Sequence, residues 1–288
     1  MPMHPAAPDD LQGLVEAYAQ TTRAVVDLGR SCSEAEFTLQ TECPGWTVHD
    51  QIAHVAGVEA WLEGHRDPQV DVPPYTHVRN KLGQLTEQAI EVRRGRSGQD
   101  IVAELEHVLP QRLSTLRSPG LTDSSIIAGP FGPERAATVA LMRTFDVWAH
   151  EQDIRTVLNR PGNLDSPAAA VFVNSVLIQL PKLVARNAGL EPGSSVIIDV
   201  TGPVVARAGV RVEMGDDGRL YGHAMFTGER ADEAAHAHPE GPTTSIGLST
   251  DAFTRRAAGR RSVSTTVYSV VGDEGVARRV LEALVVTT

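Results

Sequence analysis

Apolar residues recur every three or four positions through about residue 190 and then shift to every second position. In the first stretch Leu11, Leu14, Val15, Tyr18, Val25 and Val26 share one helical face, which predicts a helix over 9–31 capped by Asp9. A second helix is expected from Thr47 to about Gly64, with Ile52, Val55, Val58 and Leu62 inward and a Thr47-x-x-Asp50 capping signature at its start. Pro68, Pro73 and Pro74 mark 65–75 as a loop, and helical stretches follow over 76–95 and 98–117. Pro110 lies inside the latter and should kink or shorten it. The Gly/Pro-rich segment Ala128–Pro133 reads as a turn before a long helix, with Pro133 in that helix's first turn. Ser166-Pro167 and Gly189 bracket one more helix, rich in Val and Leu.

Alternation begins near Ser194. Val196–Val200, Val210–Met214 and Leu220–Phe226 read as strands, with Asp216-Asp217-Gly218 as a hairpin turn. Thr243–Leu248 and Ser262–Val271 are further strands, separated by a helix over Thr250–Ala258, and Glu274–Leu284 closes the chain as an amphipathic helix. The organisation is an α-helical bundle over 8–160 followed by a small α+β domain over 161–288, whose first helix, 167–189, could pack on either half. No internal repeat or low-complexity tract is present.

At 288 residues the chain has room for two cores, and 41% hydrophobic with 22% charged residues is ordinary globular composition. A net charge of −10 argues against nucleic acid as the main partner, because phosphate binding needs a basic face. No uninterrupted run of 18 apolar residues exists, so no membrane span is expected. The first ten residues lack the basic and apolar regions of a secretion signal. The two cysteines, Cys32 and Cys43, do not build a disulfide framework, and a reducing cytoplasmic setting is the simple expectation.

Two segments carry candidate chemistry. Asp146 and His150 stand four apart on one face of the long helix, and His54 lies on the helix that Thr47 opens. Two imidazoles and a carboxylate on two packed helices form a three-ligand set for a divalent metal. Three protein ligands leave one position open, which is the catalytic pattern. The plain alternatives are an i,i+4 helix pair of about 0.2–0.5 kcal/mol and a core histidine bonded to a backbone carbonyl.

The residues around these ligands tip the balance. Thr41-x-Cys-Pro-Gly-Trp-Thr-Val-x-Asp-x-x-x-His54 and Met142-Arg-Thr-Phe-Asp-x-Trp-x-His-Glu-Gln-Asp-Ile-Arg155 resemble the mycothiol-dependent maleylpyruvate isomerase family, within the larger DinB-like set of metal-binding four-helix bundles. The resemblance implies zinc held by His54, Asp146 and His150, with Asp146 standing where the family carries Glu. Glu151 is a conceivable substitute, but it points about 100° away from His150 around the helix. It also implies mycothiol, the low-molecular-weight thiol of actinobacteria, as co-substrate, attacking a small electrophile in an isomerisation or S-conjugation. The segment Asp251–Arg260 matches a helix ending in Gly-Arg in the family's C-terminal domain, which is similar to sterol-carrier-type folds. Arg260 is accordingly the candidate for a substrate-facing cation, although a solvated basic face would account for most of Arg255, Arg256, Arg260 and Arg261. Arg79, placed on the third helix, is a second candidate for substrate contact.

Asp153 is three residues from His150 and could orient it from behind; the alternative is a structural pairing with Arg155. Cys43 reads as packing beside Trp46, Trp148 as core, and His236-Ala-His238 as an adventitious metal binder. Two function classes remain on these grounds. One is a zinc- and thiol-dependent enzyme acting on a small molecule, with water or another thiol as variants. The other is a non-catalytic binding protein with an apolar ligand in its C-terminal domain.

Overall fold

The computed structural model describes residues 1–227 and 241–287. The chain forms two compact units, Pro8–Ala168 and a second made of Met1–Ala7 with Ala169–Thr288.

The first unit is built on four long helices: α1 (Leu11–Arg30), α3 (Val48–Leu62), α5 (Gly98–Leu116) and α6 (Ala136–Leu158). Short α2 (Glu34–Phe37) and α4 (Lys81–Glu91) accompany them. Helix α1 packs on α5 and α6, and α3 on the same two, so the four close a ring; α4 lies on α3. Inside sit Leu14, Tyr18, Ile52, Val55, Ile101, Leu105 and Val147, each at most 2% exposed. Burial of such side chains is worth about 1.5–3 kcal/mol apiece and drives the packing.

Several boundaries differ from the sequence reading for identifiable reasons. Asp10, not Asp9, caps α1 by accepting the Gly13 N–H at 2.7 Å. Helix α5 runs unbroken through Pro110, whose ring lies on the exposed face, where water can meet the carbonyl that loses its donor. Helix α4 begins at Lys81, because Asn80 accepts the Gly83 N–H as its cap. Arg79 therefore sits on the preceding loop, not on a helix. The Gly/Pro segment is a hairpin, β2 (Ile126–Gly129) with β3 (Gly132–Arg135), which places Pro133 in a strand and starts α6 at Ala136.

The apolar helix α7 (Pro167–Lys182), which belongs to the second unit from Ala169 onward, is continued by one π-helical turn over Leu183–Asn187. The stretch Pro167–Asn187 is long and apolar enough to cross a membrane by length and composition alone, and 67% of its apolar window is buried within the protein, as in a core helix. The described strands β4 (Ser195–Thr201), β5 (Val205–Met214), β6 (Leu220–Met225), β7 (Thr243–Ser249), β8 (Ser269–Val271) and β1 (Met3–His4) form one mixed sheet. Its order is β1-β5-β4-β7-β8, with β6 also on β5, and all pairs are antiparallel except β4 with β7. Helices α8 (Thr250–Ala257) and α9 (Glu274–Ala283) pack on β7, giving the expected α+β character. Only Ser269–Val271 of the strand expected over 262–271 pairs as a strand. Ahead of it Val263–Thr265 turn as a 3-10 helix, because the Thr265 and Thr266 hydroxyls donate to Ser262 O.

Candidate metal centre

The local sequence at the head of α3 sets His54 in place. Thr47 and Asp50 form a reciprocal capping box, and Thr41 N–H donates to Trp46 O, which pins the preceding loop. His54 then lies two turns into α3, facing α6, where Asp146 and His150 stand one turn apart. One ligand atom from each of the three side chains lies within 4.8 Å of the others. His54 Nε2 is 3.2 Å from Asp146 Oδ2, and His150 Nε2 is 3.5 Å from Asp146 Oδ1. A tetrahedral ion with bonds near 2.1 Å separates neighbouring ligand atoms by about 3.4 Å. The spacing and the nitrogen–nitrogen–oxygen donor set both suit such an ion. Both imidazoles are buried, whereas the Asp146 side chain is 35% exposed and marks the side from which solvent reaches the triad.

The charges around the triad are unequal. Burial would raise the Asp146 carboxyl, but Arg143, His150 and His54 outweigh it and hold the group well below the usual carboxylate range. Burial lowers His54 below an ordinary imidazole against the pull of Asp146. Burial would lower His150 too, yet Asp146 and Asp153 lift it above the ordinary value.

Around the triad is a ring of supporting side chains. Trp46 lies across both histidines, its ring centroid 5.1 Å from His54 and 5.6 Å from His150, and its indole N–H donates to Glu87 at 3.0 Å. Arg143 donates from Nη1 to Asp146 Oδ2 and from Nε to Glu59 Oε1, both at 2.7 Å. Behind Glu59 stands Arg112, 3.4 Å away, which also meets Glu63 at 3.2 Å. Gln51 Oε1 is 2.5 Å from His150 Nδ1.

The structure brings His54, Asp146 and His150 together, and it also brings Asp153 Oδ2 to 3.6 Å from His150 Nδ1. Arg155 bonds Glu151 and the Arg160 carbonyl. Glu151 is turned from the triad by Thr21, Arg155 and Asn163, at 2.5–2.6 Å. Arg79 is exposed on its loop. Arg260 belongs to the second unit, in the turn after α8, where Nη1 donates to Ala258 O at 2.9 Å. The idea of a solvated basic face there needs correcting. Arg255 and Arg256 are buried, with Arg256 donating to Leu281 O and Glu282 O at the end of α9, and Arg261 pairs with Asp251. Cys43 is buried in the Trp46 turn and Trp148 is core, its indole bonded to Asn163 O. His236 and His238 lie outside the described residues.

The sequence reading missed Gln51, Arg143 and Glu59. A signal for two of them exists: Gln51 precedes His54 by three residues and Arg143 precedes Asp146 by three, each on its ligand's helical face. Glu59 carries no local mark, because its partners come from α5 and α6.

Among protein-family models, residues 18–155 match the mycothiol maleylpyruvate isomerase N-terminal domain. Among solved structures, the chain is similar to mycothiol-dependent maleylpyruvate isomerase at 17% identity and a TM-score of 0.49, over 92% of this chain and 93% of that one. A single-substitution variant of that enzyme gives the same coverage and TM-score at 16% identity. The colibactin self-resistance protein ClbS, in complex with double-stranded DNA, is similar at 10% identity and a TM-score of 0.39, over 55% of this chain and 100% of that one. No curated protein sequence matches the chain. The family match thus falls on the helical domain, over residues 18–155 of this chain.

Proposed function

We propose that the protein is a zinc-dependent enzyme that uses mycothiol, or a similar small thiol, to isomerise or conjugate a small electrophile. The observation that carries this reading is the convergence of His54, Asp146 and His150 at metal-ligand spacing inside the domain on which the family match falls. A divalent ion bound there lowers the pKa of a thiol and keeps it ionised at neutral pH. The chain's own residues do the rest. His54 and His150, buried beneath Trp46, supply neutral nitrogen donors and keep water from that side. Asp146 supplies an anionic oxygen, kept ionised by Arg143, on the side open to solvent and hence to reactants. Asp153 supports His150 from behind. Arg260 and Arg79 are assigned as cations for an acidic substrate.

The test is elemental analysis of tag-free protein beside His150→Ala, followed by a screen of electrophiles with mycothiol. About one zinc per chain, lost in the variant, together with thiol-dependent turnover abolished by the same substitution, is expected. Protein that takes up no stoichiometric metal even when zinc is supplied removes the mechanism. Full turnover in Arg260→Ala and Arg79→Ala removes those two assignments alone.

A further inference from the structure

We propose that Gln51 is a positioning residue of this site: anchored through Thr41 to the Trp46 carbonyl, its amide oxygen holds the proton of His150 on Nδ1 and so presents Nε2 as the metal-binding nitrogen. The inference rests on the metal reading above and concerns how one ligand is prepared.

The argument is one of hydrogen-bond polarity. The Thr41 oxygen has one proton and two lone pairs. Its contacts are Trp46 O at 2.7 Å, Cys43 N at 3.2 Å and Gln51 Nε2 at 2.8 Å. The carbonyl only accepts, so it takes the hydroxyl proton. The Cys43 amide only donates, so it fills one lone pair. The second lone pair faces Gln51 and needs a donor, which turns the amide nitrogen toward Thr41 and the amide oxygen toward His150. An acceptor 2.5 Å from Nδ1 requires the proton there. Asp153 Oδ2, 3.6 Å from the same nitrogen, favours the same tautomer independently. Gln51 is fully buried, so water does not substitute for either bond. His54 has no such device: its Nδ1 is buried without a hydrogen-bond partner. Outer partners of metal-bound histidines fix ring orientation and ligand basicity in this way.

The experiment measures zinc affinity of the full chain by competition with a chromophoric chelator, for wild type, Gln51→Met, Gln51→Glu, Thr41→Val and His150→Ala. Gln51→Met loses the acceptor and should bind zinc about 10- to 100-fold more weakly. Gln51→Glu keeps an acceptor on Nδ1 and should bind at least as tightly as wild type, although it loses the donor to Thr41. Thr41→Val keeps Gln51 but frees it to turn, and should fall between. Nitrogen NMR of histidine-labelled, metal-free protein, taken to a pH at which His150 is neutral, should show one His150 tautomer in wild type and a mixture in Gln51→Met. A merely structural role predicts equal damage from Met and Glu, and that result, or wild-type affinity in Gln51→Met, overturns the proposal while leaving the metal site intact. Should Gln51→Met fail to fold, Thr41→Val decides: unchanged affinity overturns the proposal, a several-fold loss supports it. Wild-type protein with no zinc affinity overturns the metal reading and this inference with it.

Discussion

Arg143 should be an expensive charge to remove from the helical domain. It donates to Glu59 and to Asp146, each at 2.7 Å. Arg143 and Glu59 are 3% and 0% exposed, so that bond deserves the full value of a charged hydrogen bond, about 2–3 kcal/mol. Asp146 is 35% exposed and screened by water, so its bond is discounted to about 1 kcal/mol. Arg143→Met should therefore cost about 3–4 kcal/mol, within the range for breaking one side of a buried pair. Urea unfolding of metal-free protein, read by circular dichroism, gives the number directly. The companion is Arg143→Met with Glu59→Gln. Together these remove both charges, while Arg112 keeps Glu63 at 3.2 Å. The double variant should recover at least about 1 kcal/mol relative to the sum of the singles, since Glu59, left in Arg143→Met with only Arg112 at 3.4 Å, no longer carries an under-compensated buried charge. A loss below about 1 kcal/mol in Arg143→Met, or strict additivity in the cycle, refutes the reasoning.

Four further outcomes follow from the same geometry. Zinc at about a hundred times its Kd should stabilise the chain by about 2.7 kcal/mol, with chelator reversing the effect and no shift in His150→Ala, by thermal unfolding. Trp46 lies across both histidines, so a quenching ion such as Co2+ should dim tryptophan emission in wild type and leave Trp46→Phe nearly unchanged; equal quenching in both removes Trp46 from the site. For Glu104, burial would raise the carboxyl, but Arg93 and Arg96 hold it below its ordinary value. Its contribution is thus full above the unfolded pKa near 4.3 and lost as pH falls through the folded value, so Glu104→Gln should flatten the acid limb of stability below about pH 4. Gly45 has φ +79°, and an added Cβ would run into the His77 ring, so Gly45→Ala should cost about 2 kcal/mol in a denaturant titration.

How far each feature was legible in the sequence depended on whether its cause was local. The Thr47-x-x-Asp50 box announced the start of α3, because a cap is an exchange between residues three apart. Alternation over Val210–Met214 was equally plain, but the strand begins five residues earlier, at Val205, where small Ala206, Ala208 and Gly209 fill the buried positions and give a weaker apolar signal. Pro110 misled because the penalty for proline depends on which face it takes, and only packing decides that. The hairpin over Ile126–Arg135 was hidden because Pro133 suits an outer strand as well as a helix start. Strand β1 contributes two residues to the edge of a sheet more than two hundred positions away, paired with Val205 and Ala206, and no local pattern encodes that.

The site divides the same way, and the division explains why the two histidines are not equivalent. Both were legible as ligands from their helical spacing, yet nothing in that spacing separates them. What separates them is tertiary. His150 has Gln51 and Asp153 at Nδ1 and is pushed toward the charged form when no ion is present, whereas His54 has an unpartnered Nδ1 and is pushed toward the neutral form. Asp146 sits between them and is shared with Arg143. Of the two imidazoles, His150 therefore holds a proton more tightly against an arriving cation than His54 does. Metal uptake should accordingly weaken as pH falls, with one imidazole accounting for most of the protons released. The carboxylate that anchors the triad is held ionised by an arginine one turn away, which the sequence placed on the same helix face but gave no reason to single out.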